Sequence, residues 1–118
     1  MSDRRRVLVV EDDRDNRELM AQILEGAGYD VVAVEDGADA IAFATRDRPG
    51  LVVLDLKLRE IDSWEVLAAM RAKPSLRDVP VLVVSALLAA SVPPRVTLLK
   101  KPFLPAELLA MVATLFVA

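Results

Sequence analysis

Five short apolar runs recur along the chain: Val7–Val10, Val31–Val34, Leu51–Leu54, Val81–Val84 and Val96–Leu99. Each is rich in β-branched residues, and none alternates apolar with polar positions. A strand with one face in water alternates, whereas a parallel strand covered by helices on both faces stays apolar throughout. The runs therefore predict buried parallel strands. Between them the period becomes helical. Leu19, Met20, Ile23, Leu24 and Ala27 fall on one face of a helix over about 15–26, with Gly26 and Gly28 suited to its end. Ala38, Ile41, Ala42 and Thr45 mark a second helix after Gly37. Asp62 followed three residues on by Glu65 reads as a capping box opening a third helix, which carries Val66, Leu67 and Met70 and ends before Pro74. Pro105 suits the first position of a last helix, with Leu108, Leu109, Val112, Leu115 and Phe116 as its buried stripe. Its cap would be Leu104, a poor capping residue.

Strands alternating with helices predict an α/β architecture with a doubly wound parallel sheet. One connection breaks the rhythm. Only Ala86–Pro94 separate Ser85 from Arg95, and Pro93 and Pro94 are among them. A parallel crossover usually takes a dozen or more residues, so the spacing predicts a turn or irregular segment there and no full helix.

Composition narrows the chemistry. The 118 residues suit one domain, residues 1–118, and 54% are hydrophobic, enough for a core. The chain has no cysteine and no histidine. That excludes disulfides, thiolate nucleophiles, Ser-His-Asp triads and imidazole or thiolate metal sites. Any metal must take oxygen ligands. The net charge of −3 argues against direct nucleic-acid binding. Arg4–Arg6 read as protection of an N-terminal strand from edge pairing. No apolar stretch suits a membrane span or a signal segment, which leaves the cytoplasm as the expected compartment.

In an open parallel sheet, ligands gather at the carboxyl ends of the strands. Here those ends carry Glu11-Asp12-Asp13, then Asp55, then Ser85-Ala86, then Lys100-Lys101-Pro102. Clustered carboxylates repel unless a cation joins them, and Mg²⁺ is the natural hard cation. Asp55 is then placed as a nucleophile able to form an aspartyl-phosphate. Mg²⁺ would neutralise one phosphoryl oxygen, Lys101 a second, and Ser85 would donate to a third, while the small Ala86 leaves room for a donor. Asp13 reads as a helix cap, Lys100 as a solvated lysine, Met20 and Met70 as core, and Trp64 as packed near the start of its helix.

The segments 7–13 (VLVVEDD), 51–56 (LVVLDL), 62–67 (DSWEVL), 79–86 (VPVLVVSA) and 100–103 (KKPF), in this order and spacing, resemble the receiver domain of two-component response regulators. The resemblance spans almost the whole chain. It implies a flavodoxin-like five-stranded sheet of order 2-1-3-4-5, with the helix between strands four and five shortened or absent. Asp55 matches the phospho-accepting aspartate. Asp12 matches the acid that ligates Mg²⁺ directly, and Glu11 its water-mediated neighbour. The backbone carbonyl of Lys57 falls where the family supplies a third protein ligand. Ser85 matches the hydroxyl residue, Lys101 the lysine of the site, and Lys101–Pro102 a peptide bond that is usually cis. A partner histidine kinase or histidine phosphotransfer protein is implied as the phosphoryl source. The chain would be no enzyme beyond catalysing its own phosphorylation and dephosphorylation.

Several positions depart from the family pattern. Leu98 stands where the family usually places a switch aromatic, and Lys57, Arg59 and Ser63 alter the loop after Asp55. A lost helix would uncover Leu87, Leu88, Val92 and Leu98, which makes residues 86–98 a candidate partner or self-association surface. Two functions compete. One is a stand-alone phospho-accepting receiver that signals by protein contact to a downstream protein. The other is a pseudo-receiver or docking module that works without phosphorylation. A phosphatase would want an acid where Lys57 stands, and a dinucleotide site would want glycines where Glu11-Asp12-Asp13 stand.

Overall fold

The computed structural model describes residues 5–56, 60–86 and 96–117. The strands are β1 (Arg6–Val10), β2 (Asp30–Val34), β3 (Leu51–Leu56), β4 (Val81–Ser85) and β5 (Val96–Lys100). The helices are α1 (Arg14–Gly26), α2 (Gly37–Arg46), α3 (Glu60–Ala72) and α4 (Pro105–Val117). The sheet is parallel throughout, in the order β2-β1-β3-β4-β5. The expected flavodoxin-like topology is therefore present.

Successive residues of one strand serve opposite cores, which is why the strands read as unbroken apolar runs. Leu8, Val10, Val52, Leu54, Val81 and Val83 face a cluster closed by Ala40 and Ala44 of α2 and Val66, Leu67 and Met70 of α3. Val7, Val9, Leu51, Val53, Leu82 and Val84 face the other, closed by Met20 and Leu24 of α1 and Leu108 and Val112 of α4. Trp64 and Leu98, both half-buried, pack against the first cluster.

Helix ends follow local chemistry. Asp13 caps α1, its Oδ2 accepting the Asn16 N–H at 2.9 Å, and Asp36 caps α2 through the Asp39 N–H at 2.8 Å. Gly28 takes a φ of 96° just after α1, a conformation that costs glycine little. At α4 the weak cap Leu104 is supported from inside the helix: its N–H donates to Glu107 Oε1 at 2.7 Å, the reciprocal half of a capping box.

Four expectations need correction. α3 begins at Glu60, so Asp62 lies inside the helix and is not its cap, and Ser63 likewise belongs to the helix and not to the loop after Asp55. Leu19 and Ala27 are exposed, because the apolar face of α1 is narrower than the sequence stripe. α2 buries Ala40 and Ala44, while Ala38, Ala42 and Thr45 are exposed, so the helix is rotated from the expected face. β1 lies between β2 and β3, so Arg5 and Arg6 guard no sheet edge; Arg6 instead pairs with Asp30 at 2.7 Å and with Asp47, and Arg5 lies over the Tyr29 ring, while Arg4 lies outside the described residues. Leu87, Leu88, Val92 and the rest of the short β4–β5 connection, like Lys57 and Arg59, lie outside the described residues. Of the expected surface 86–98, Ala86 is exposed and Leu98, within β5, is half-buried.

Candidate functional site

Strand register brings the site together. Val10 pairs with Leu54, which sets Glu11 and Asp55 side by side at the ends of β1 and β3. Leu56 pairs with Ser85, and Ser85 with Lys100. The next residue, Lys101, donates its N–H to the Ser85 carbonyl at 2.8 Å. Glu11, Asp55, Ser85 and Lys101 thus meet on one edge, as their positions in the sequence imply.

Three of these polar residues are buried: Glu11, Asp55 and Ser85. A buried carboxylate is costly unless it is paired and hydrogen-bonded. Asp55 Oδ2 accepts a hydrogen bond from Lys101 Nζ at 2.8 Å, with the Asp55 side chain 1% exposed and that of Lys101 25%. This charge-assisted bond points the Lys101 ammonium at the carboxylate expected to react. Glu11 Oε2 accepts the Asp13 N–H at 2.8 Å. The second oxygen of each acid, Glu11 Oε1 and Asp55 Oδ1, is buried as well. Asp12 is exposed beside them, and Asp13 acts as the helix cap expected of it. Ala86 is exposed at the mouth of the site, and the Lys101–Pro102 peptide is cis.

Whether these residues suit Mg²⁺ turns on donor chemistry. Among the described residues, no three acidic side chains form a ready metal cluster, and Lys57 lies outside them. Mg²⁺ does not need such a cage: it keeps several waters and binds through one or two carboxylates, all hard oxygen donors. Glu11, Asp12 and Asp55 are such donors, at adjacent strand ends, so the site fits the ion in kind.

Two features escaped the sequence reading. Arg17 Nη1 donates to the Glu11 carbonyl at 2.9 Å; a cation in the first turns of a helix, where the dipole opposes it, was the available signal. A mainly apolar groove of about 510 Å³ adjoins the site, lined by Glu11 and Lys101 and by Leu19, Met20, Ile23 and Phe103. Leu19 projects into it, 54% exposed. No helix among the described residues is long and apolar enough to cross a membrane.

The response regulator receiver domain family matches residues 7–113. The transcriptional regulatory protein PrrA of Mycobacterium tuberculosis is 41% identical over 118 residues, covering 93% of this chain and 49% of PrrA. The chain spans about half the length of the curated relatives of this kind that it matches. Among solved structures, a putative response regulator from Chloroflexus aurantiacus superposes with a TM-score of 0.87 at 27% identity, covering 97% of this chain and 98% of that one. The receiver domain of a sensor histidine kinase from Pseudomonas aeruginosa, solved with a magnesium ion in its active site cleft, superposes at 0.84 and 28% identity, covering 97% and 98%.

Proposed function

The chain belongs to the response regulator receiver domain family, and we propose that it is a phospho-accepting member of it: Asp55 takes a phosphoryl group from a phosphohistidine of a partner histidine kinase or phosphotransfer protein. The observation that carries this reading is the buried Asp55 carboxylate held at 2.8 Å by Lys101, in register with Glu11 and Ser85. One carboxylate oxygen of Asp55 attacks phosphorus. The phosphorus–nitrogen bond of the donor breaks, its electron pair stays on the imidazole nitrogen, and that nitrogen takes up a proton. Lys101 remains with the negative oxygens, and the Ser85 hydroxyl donates to one of them. Glu11, Asp12 and Asp55 would hold Mg²⁺, which supplies charge neutralisation at the phosphoryl oxygens. Hydrolysis of the aspartyl-phosphate by water returns Asp55. The output is protein contact, in the cytoplasm.

Intact-protein mass after incubation with acetyl phosphate and Mg²⁺ tests the reading. One added phosphoryl group is expected, absent from Asp55→Asn and from the metal-free sample. A folded chain that gains no mass would weaken this reading in favour of a docking module independent of phosphorylation.

A further inference from the structure

We infer that Arg17 is a positioning residue: it fixes the acidic turn Glu11–Asp13 from behind and thereby sets how well that turn takes up a divalent cation. The cation half of this inference rests on the proposed function. Arg17 is the fourth residue of α1 and half-buried. A guanidinium there is opposed by the positive end of the helix dipole, so its place requires acceptors. Arg14, in the same turns, finds one in solvent, at Glu18. Arg17 instead turns back under the helix start, where Nη1 donates to the Glu11 carbonyl at 2.9 Å and reaches the Asp12 carbonyl at 3.4 Å. These are the two residues between β1 and the helix cap, and their side chains are the acids of the site.

The contacts close a ring. The Asp13 N–H donates to Glu11 Oε2 at 2.8 Å, Asp13 Oδ2 accepts the Asn16 N–H at 2.9 Å, and the Arg17 N–H donates to the Asp13 carbonyl at 2.9 Å. The Glu11 N–H is tied to the Val34 carbonyl of β2 at 3.0 Å. Glu11 is thereby held at its N–H, its carbonyl and its carboxylate, and Arg17 supplies the hold on the carbonyl. A planar guanidinium can serve two neighbouring carbonyls in one fixed direction, which an ammonium on a flexible stem does not match. Mg²⁺ demands near-ideal octahedral geometry, so slack in its carboxylates weakens binding.

Charge alone predicts the opposite sign. Removing a cation beside Glu11 and Asp12 makes the turn more negative and would tighten Mg²⁺ binding. Calorimetric titration of the full chain with MgCl₂, and exchange of the Asp13 amide followed by NMR, separate the two. In Arg17→Met the Mg²⁺ affinity should fall several-fold and the Asp13 amide should exchange faster. Arg17→Lys should recover only part of each effect, and Asp12→Asn serves as the control that the titration reads this site. If Arg17→Met does not fold, Arg17→Gln carries the same comparison. Mg²⁺ affinity that is unchanged or tighter, with unchanged exchange, overturns the inference. Should the wild-type chain take up no Mg²⁺, the metal reading fails by itself, and faster or unchanged exchange of the Asp13 amide then upholds or overturns the role of Arg17.

Discussion

Lys101 and Asp55 bring a charge pair to the end of a strand that is otherwise apolar, and the asymmetry of their exposure governs what each contributes. The Asp55 side chain is 1% exposed and cannot recover hydration if its partner is lost, whereas Lys101 at 25% partly can. Truncating the lysine alone leaves a buried carboxylate without its ammonium, at a cost of about 1–3 kcal/mol. Lys101→Met should therefore lower stability by that order in urea unfolding. Asp55→Asn in the same chain should restore most of it, because the charge that needed a partner is gone. Additive single effects in that double-mutant cycle would show that the pair is not coupled. The acids, the serine and the lysine were readable in the sequence because each ends an apolar run, and a strand end is where a parallel sheet offers chemistry. Arg17 was legible only as a cation at the unfavourable end of a helix, and its target was not. Its contact is a long side chain reaching backbone carbonyls, and no residue spacing encodes that.

Elements were legible in kind and less so in rotation. All five strands fall where the apolar runs lie: β1, β3 and β4 are buried on both faces, and the edge strands β2 and β5 keep the apolar run although they are only partly buried. The helices were found by period, but α2 turns Ala40 and Ala44 inward in place of Ala42 and Thr45. The two large side chains of α2, Ile41 and Phe43, are only partly buried at the margin of the core, so the small Ala40 and Ala44 face the sheet. Gly37 shows how closely α2 packs on α3. A Cβ built there would stand 2.6 Å from Val66 Cγ2, a branched methyl with little freedom to move. Gly37→Ala would favour the helix by less than the roughly 1 kcal/mol of an interior position, because Gly37 is the first residue of α2. The clash should outweigh that gain, giving a net destabilisation of about 1–2 kcal/mol by thermal or urea unfolding. A more stable variant would mean that α2 and α3 have slack between them. At α4 the opposite change is available. Leu104→Ser would add the missing half of the box that Glu107 already supplies, and about 0.5–1 kcal/mol of added stability is expected by the same measurement.

The whole molecule sets the edge that carries Asp55 and Lys101 beside an apolar groove, and under the proposed function the two would separate small donors from protein donors. Strand order followed from the family resemblance, whereas the apolar runs indicated only buried parallel strands. The groove did not, because Leu19 reads in the sequence as one more residue of a buried stripe, while the structure leaves it 54% exposed beside Glu11 and Lys101. Under the proposed function, an exposed leucine at the rim of the site suits a partner that must hold its phosphohistidine against Asp55 while the bond breaks. Acetyl phosphate has no surface to place there. Leu19→Glu puts a charge on that rim and removes no buried contact of note, so the fold should stand. Labelling by acetyl phosphate should proceed at the wild-type rate. Transfer from a phosphorylated kinase or phosphotransfer protein that labels the wild-type chain should slow about tenfold, equivalent to about 1.4 kcal/mol of lost association. Equal slowing with both donors would place the effect in the site itself, and no slowing with either would leave the groove outside the path of the phosphoryl group.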